Sequence, residues 1–377
     1  MLNRIEKEIF PKLLPLFKDL QHHLIIRAVV ENTSPGIIYG DHPKHPESIF
    51  MIAPEGFFLA GNTDHASFNH TLYEFIQESI IPDLEKEGED SFDLHYSPEW
   101  TGKLDNVFSN KDLPVLNGYG KYYTFDEKKM DWQSSLPDQF KVSRVDEIFL
   151  QHQEFSNMPA VKQAITSNWI SSEKYYSDGF GFCVQKEDEI ISWCMADCVS
   201  GSQTEIGIYT DPKFRQKGLG SIAVAATLEY CLQNGLNHIG WHTWYENYGS
   251  MGTAIKTGFS MKKAYTFGVY FFDVLNNLGV QGILYLKDEQ FIKALRCFNT
   301  VFSEIEPNSR DSFYAACAYA SISEQDLAWN YLQLAINKGW KDVGTLNRIR
   351  FLETLRYSPK WEFLLKSISP DDSIIIL

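Results

Sequence analysis

The stretch Ile208-Tyr209-Thr210-Asp211-Pro212-Lys213-Phe214-Arg215-Gln216-Lys217-Gly218-Leu219-Gly220 has the residue types and order of an anion cradle. A β-prone run enters a short polar loop, and the loop opens directly onto a helical pattern. The first N–H groups of a helix lack intrahelical partners and lie at the positive end of its dipole, so they bind phosphate well. Glycine lets the backbone approach such an anion closely. No Gly-Lys-Ser/Thr follows, which rules out a Walker loop, and one Gly-x-Gly alone is not a dinucleotide fingerprint. The implied chemistry is a pyrophosphate held by backbone amides.

Other reactive residue types are less organised. Seven of the ten histidines precede residue 100, among them His42 and His45 in His42-Pro43-Lys44-His45. No carboxylate accompanies them at metal-ligand spacing on a helix, and Pro43 prevents a regular helix there, so no metal site is expected. Cys194 and Cys198 fall on one face of an alternating strand pattern. Without a histidine partner they read as small buried hydrophobes.

Composition narrows the field further. The 377 residues are enough for two or three domains. A net charge of −15 argues against a protein that grips nucleic acid or an anionic membrane, and suits a neutral or cationic small-molecule partner. No apolar run reaches the ~18–20 residues needed to span a bilayer. The start, Met1 to Glu8, is too charged for a signal peptide. The six cysteines form no Cys-x-x-Cys pair, so reduced thiols and a cytoplasmic location are expected.

The elements that would position the cradle can be read from periodicity. In the first 145 residues a helix is expected over Leu20–Glu31, strands at Ile37–Tyr39, Ser48–Ile52 and Phe57–Ala60, a helix over His65–Pro82 and a strand at Phe92–Tyr96. Between Asp146 and Asp273, Phe180–Gln185 and Ile190–Cys198 read as a hairpin and Glu205–Tyr209 as a third strand. A helix over Leu219–Asn234 places Leu219, Ile222, Ala226, Tyr230 and Cys231 on one side. Gly235 ends it, Asn237–Trp244 is the next strand, and the helix Ser250–Thr257 closes at Gly258.

The last hundred residues are helical in pattern and repeat. Gly282, Tyr285, Ala294 and Phe298 recur 34 residues later as Ala316, Tyr319, Ala328 and Leu332. This spacing resembles the tetratricopeptide helix–turn–helix repeat, in which small residues sit where helices cross. Phe351, Leu355, Pro359, Trp361 and Leu364 read as a fading third unit that caps the array.

With its neighbours, the cradle resembles the GNAT acyltransferase superfamily. Arg215, Gly218 and Gly220 fit the hallmark Arg/Gln-x-x-Gly-x-Gly/Ala after a strand. Asn247, Ser250, Lys256, Gly258 and Phe259 are similar to the motif that ends the family's coenzyme A site. Asn32 to Tyr39, Gly61-Asn62, Trp100, Gly179 to Phe182 and Thr204 to Ile208 look like the subfamily named for zwittermicin A resistance acetyltransferases. The resemblance implies an α/β (α+β) architecture in three parts. Residues 1–145 would be a degenerate GNAT-like lobe without a phosphate loop, residues 146–273 the GNAT domain, and residues 276–377 an all-α TPR-like module with capping helices.

The same resemblance assigns roles. Ile208 and Thr210 would pair through their backbones with the pantetheine arm of acetyl-CoA. The loop Arg215-Gln216-Lys217-Gly218-Leu219-Gly220-Ser221 would hold the pyrophosphate, the amides from Gln216 to Ser221 doing so directly. Asn247 would bond a pantetheine amide, with Ser250 nearby. The acceptor would be the primary amine of a small molecule, such as an amine-bearing antibiotic. Glu205 lies where the family often places the carboxylate that takes the ammonium proton, a step an amine of pKa ~10 requires. The tyrosine that many relatives use to protonate the thiolate is replaced by Ala254, which makes Tyr245, with Tyr248, the nearest substitute. A second class of function is a catalytically weak binding or scaffold protein that recruits a protein partner through its repeats.

Overall fold

The computed structural model describes residues 2–151 and 155–368, and the chain divides into two compact units. One comprises Met1–Ser109 with Asn117–Tyr270, the other Asn110–Leu116 with Phe271–Leu377. The first is built on one twelve-stranded sheet ordered β1-β2-β3-β4-β5-β12-β6-β11-β10-β9-β8-β7. Its strands are β1 (Asn3–Arg4), β2 (Ile37–Gly40), β3 (Ser48–Ala53), β4 (Gly56–Gly61), β5 (Ser91–Tyr96), β6 (Leu116–Phe125), β7 (Lys141–Arg144), β8 (Gly181–Lys186), β9 (Glu189–Ser200), β10 (Gln203–Thr210), β11 (His238–Trp244) and β12 (Phe259–Phe271).

One pairing pattern occurs twice in this sheet. β1 to β4 pair antiparallel in succession, and β4 then pairs parallel with β5. β7 to β10 do the same, and β10 pairs parallel with β11. Each half then lends a strand to the other: β6 pairs with β11, and β12 lies between β5 and β6. The halves therefore form one continuous sheet.

Two expectations need correction. The helix read over Leu20–Glu31 is broken. Lys7–Leu20 is a 3₁₀-type helix whose Pro11 and Pro15 lack the N–H groups an α-helix needs, and the α-helix starts only at Ile25, running to Val30. Cys194 and Cys198 do not share a core. A bulge leaves Asp197 without a partner on β10, since Glu205 pairs with Cys198 and Ile206 with Ala196. One extra residue shifts the alternation, so Cys194 joins the core around the helix Leu219–Gln233 while Cys198 joins that around Ile25–Val30. The helix Leu219–Gln233 is also apolar on more than one side, with Ala223, Val224, Ala225 and Leu228 buried beside the residues expected.

In the second unit, Val274–Lys287, Phe291–Glu304, Ser309–Ser321 and Gln325–Asn337 form two helix–turn–helix pairs. A Cβ on Gly282 would lie 2.8 Å from the Phe298 ring, so the glycine leaves room for that ring between the two helices. Ala294, Phe298, Ala316, Ala328 and Leu332 are all fully buried. The turns repeat as well: Glu289 (φ 60°) and Ser323 (φ 66°), 34 residues apart, take the same left-handed conformation. Trp361 and Leu364 are buried in the same core. Among the described residues no helix is long and apolar enough to cross a membrane.

Candidate active site

The site begins where β10 and β11 separate. Their parallel register runs Gln203↔His238, Thr204↔Ile239, Glu205↔Gly240 and stops there, although both strands continue. Backbone groups of Ile206 to Thr210 that would have faced β11 face a cleft instead. Gly240 is required at the last pair, because a Cβ there would lie 2.8 Å from Cγ of Glu205.

Beyond β10 the loop turns onto the helix Leu219–Gln233 through two left-handed residues, Gln216 (φ 63°) and Gly218 (φ 80°). Gly220 is needed for a different reason: a Cβ there would meet Thr210 Oγ1 at 2.9 Å and Ile208 Cδ1 at 3.1 Å. The Arg215 guanidinium donates through Nε to the Thr210 carbonyl (3.2 Å) and braces the strand end. Opposite, Asn247 caps the helix Tyr248–Thr257 by accepting the Ser250 N–H (3.0 Å). A groove of about 550 Å³ runs between the two helix starts. It is lined by Ile208, Thr210, Arg215, Gln216, Gly218, Leu219, Gly220, Ser221, Asn247 and Ser250, with Lys256 beside Gly218. Lys217 instead lays its ammonium over the Phe214 ring.

A second cavity, of about 340 Å³, shares Ile208, Asn247 and Ser250 with that groove. Among the described residues, four carboxyl groups line it, those of Glu55, Asp93, Asp197 and Glu205, together with His23, His95 and His242 and the rings of Tyr265 and Phe267, and no lysine or arginine does. Each arrives by a local device. Glu55 sits in the two-residue turn between β3 and β4. Asp93 and His95 alternate onto one face of β5. Asp197 is the bulged residue, and the helix break after Leu20 brings in His22, His23 and Leu24.

Glu205 is 3% exposed. Its Oε1 accepts the Leu24 N–H (3.0 Å) and lies 3.2 Å from His242 Nε2. That nitrogen also faces the His22 carbonyl at 2.9 Å, which can only accept, so Nε2 carries the proton of neutral His242. Nδ1 then accepts from the Tyr265 hydroxyl (2.9 Å). His23 Nδ1 contacts Glu55 at 3.0 Å. His23, Glu55 and His242 offer ligand atoms within 4.8 Å of one another. The His23 and His242 rings, however, are stacked at 4.5 Å and 8°, so their in-plane lone pairs run side by side and do not converge as a tetrahedral ligand set requires.

Burial controls the protonation of this cluster. It pushes Glu205 up to about 7, against the hydrogen bonds from Glu55 and Leu24 that favour the carboxylate. Asp93 rises to about 7 and Asp197 to about 8 for the same reason. Glu55 rises well above the carboxylate range through burial and the neighbouring Glu205. His22 and His95 fall to about 3, chiefly by burial, and His23 and His242 are also lowered.

The tyrosine expected to act as acid lies elsewhere. The Tyr245 ring is half exposed, covered on one side by the Lys121 ammonium at 3.9 Å, and lines neither cavity. Tyr248 reaches the groove but is 73% exposed. Ala254 is fully buried in the core of its half, so its side chain does not face the groove. The cavity residues before position 100 escaped sequence reasoning because they are joined to β10 and β11 by contacts as distant as Leu24 with Glu205 and His22 with His242, 181 and 220 positions apart. The one available signal was the unusual pair His22-His23 beside a proline-broken helix.

All of this architecture lies within residues 14–267, the span that matches the family model of GNAT acetyltransferases. The chain belongs to that family. It is 24% identical over 268 residues to the uncharacterized N-acetyltransferase YdfB of Bacillus subtilis, covering 71% of this chain and 97% of that protein. Among solved structures, a GCN5-related N-acetyltransferase-like protein from Streptococcus suis is similar with a TM-score of 0.49 and 21% identity, over 70% of this chain and 98% of that one. A tandem GNAT protein from the clavulanic acid biosynthesis pathway is similar with a TM-score of 0.43 and 8% identity, over 71% and 98% of the two chains.

The buried acids set the pH dependence of stability. His22, His23, His95 and His242 have folded values lowered from 6.5, and in the unfolded chain they are half protonated at pH 6.5 and mostly neutral above pH 7, so over pH 7–8.5 they contribute little. The folded state still holds protons on Glu205, Asp93 and Asp197 that the unfolded chain has released. It therefore binds more protons, and stability falls as pH rises through 7–8; below about 7 the lowered histidines act in the opposite direction. Tm is expected to drop from pH 7 to 8.5, and to drop less in Asp197→Asn. A flat wild-type profile over that range would contradict the assignment.

Proposed function

We propose that this chain is an N-acetyltransferase that moves the acetyl group of acetyl-CoA to the primary amine of a small cationic molecule. The observation that carries the reading is the meeting of the two cavities at Ile208, Asn247 and Ser250. The groove suits the nucleotide and pantetheine: Gln216, Gly218, Leu219, Gly220 and Ser221 line it at a helix start, two left-handed residues shape its loop, and Lys256 adds a cation. The acidic cavity suits an ammonium, with four carboxyl groups and, among the described residues, no competing lysine or arginine in its wall. The subfamily resemblance is compatible with an amine-bearing antibiotic as acceptor and with a cytoplasmic location.

In this reading Glu205 takes the ammonium proton. Its pKa of about 7 makes it a matched base near neutral pH, and His242 and the Leu24 N–H hold its carboxylate in place. The amine and the thioester carbonyl react mainly because the junction orients them together. A strand amide at Ile208 stabilises the developing oxyanion. Burial of Glu205 with this full set of partners favours catalysis over a retired, binding-only site. The 34-residue helical repeats are a tetratricopeptide-like scaffold for a protein partner.

Two outcomes follow. Gly218→Asp puts a charge against the pyrophosphate and is expected to weaken acetyl-CoA binding by at least ~2 kcal/mol, about thirtyfold. Calorimetry on a folded Gly218→Asp protein with wild-type affinity would remove the groove assignment. Glu205→Gln is expected to lower kcat by ~10²–10⁴ while acetyl-CoA affinity stays within about twofold, and to abolish the rise in rate through pH 7. A variant that keeps the wild-type pH profile would remove Glu205 as the base.

A further inference from the structure

We infer that the hydroxyl of Ser250 is the donor that receives the leaving sulfur of the thioester; this rests on the acyl-CoA reading of the groove. Three residues line both cavities, Ile208, Asn247 and Ser250, and among them only Ser250 carries an O–H. Its hydrogen bonding is one-sided. The Trp241 indole Nε1–H donates to Ser250 Oγ at 2.9 Å, and an indole N–H can only donate. Ser250 therefore accepts from Trp241 and keeps its own proton to give. Trp241 is 2% exposed, so the oxygen is anchored to a fixed core residue. The Ser250 N–H is likewise committed, to Asn247 Oδ1 at 3.0 Å, which fixes the first turn of the helix that carries the hydroxyl.

The tyrosines offer no such geometry: Tyr245 lines neither cavity, and Ala254 points into the core. In the transfer, the amine nitrogen bonds to the carbonyl carbon after Glu205 has taken one ammonium proton. The C–S bond then breaks with its electron pair on sulfur. Ser250 holds its O–H toward that thiolate, and the second proton lost by nitrogen leaves with sulfur as the free thiol. Ser250 stays protonated throughout, stabilising the charge on sulfur as a hydrogen-bond donor to an anion.

The test needs no acceptor amine. A donor aimed at sulfur stabilises the thiolate, so the thiol of CoA bound to the full-length protein should ionise at a pH about one unit or more below that of free CoA, read by thiolate ultraviolet absorbance during a pH titration. In Ser250→Ala that shift should vanish, and in Ser250→Thr, which keeps the hydroxyl, it should persist. A thermal melt of each protein reports that all three are folded, and CoA is supplied at saturation for each. Equal thiol titrations in wild type and Ser250→Ala, or a Ser250→Thr protein that titrates like free CoA, would overturn the inference while leaving the groove assignment intact. A wild-type protein that binds neither CoA nor acetyl-CoA would overturn both.

Discussion

The separation of β10 from β11 after the Glu205↔Gly240 pair is the constraint on which the rest of the site depends. A parallel pair that stayed zipped would use its backbone groups on itself and leave nothing for a ligand. Once the strands part, β10 presents unpaired peptide groups along one wall, and β11 leads to Asn247 and the helix start on the other. The Asp197 bulge opposite Glu205/Ile206 marks the same point on the neighbouring strand and turns a carboxyl group into the opening. Gly240 and Gly220 are then needed because Glu205 in one case and the β10 side chains in the other lie too close for a Cβ.

The twofold pairing pattern explains why the acidic cavity has two parents. β6 and β12 are exchanged across the middle of the sheet, so the first half cannot be an independent appendage. It brings His23, Glu55, Asp93 and His95 to a wall completed by Asp197, Glu205 and His242. The shared physics of this cluster is desolvation: burial keeps histidines neutral and carboxyl groups protonated more strongly than their mutual charges do. A low-charge cavity rich in latent carboxylates is one that an incoming ammonium can ionise by binding.

What was legible in the sequence and what was not divides along local and non-local lines. The loop Arg215–Gly220, the Asn247 cap and Gly258 could be read because each reflects a backbone need met within a few residues. The helical repeat was legible for the same reason: Gly282 against Phe298, and the left-handed Glu289 and Ser323, recur at a fixed period. Strand alternation located Glu205, but not its burial, since the groups that enclose it include Leu24, 181 positions away. The bulge at Asp197 defeated the period-two reading of Cys194 and Cys198. Pro11 and Pro15 account for the 3₁₀ form of Lys7–Leu20, before the expected helix over Leu20–Glu31, and not for its late start at Ile25.

The most direct measurement is a crystal structure of the full chain with CoA. The account predicts the pyrophosphate on the amides of Gln216 to Ser221, the pantetheine arm along Ile208 to Thr210 opposite Asn247, and the sulfur at the junction beside Ser250, facing the cavity that holds Glu205. CoA bound outside this groove, or a thiol directed away from Glu205, would contradict it.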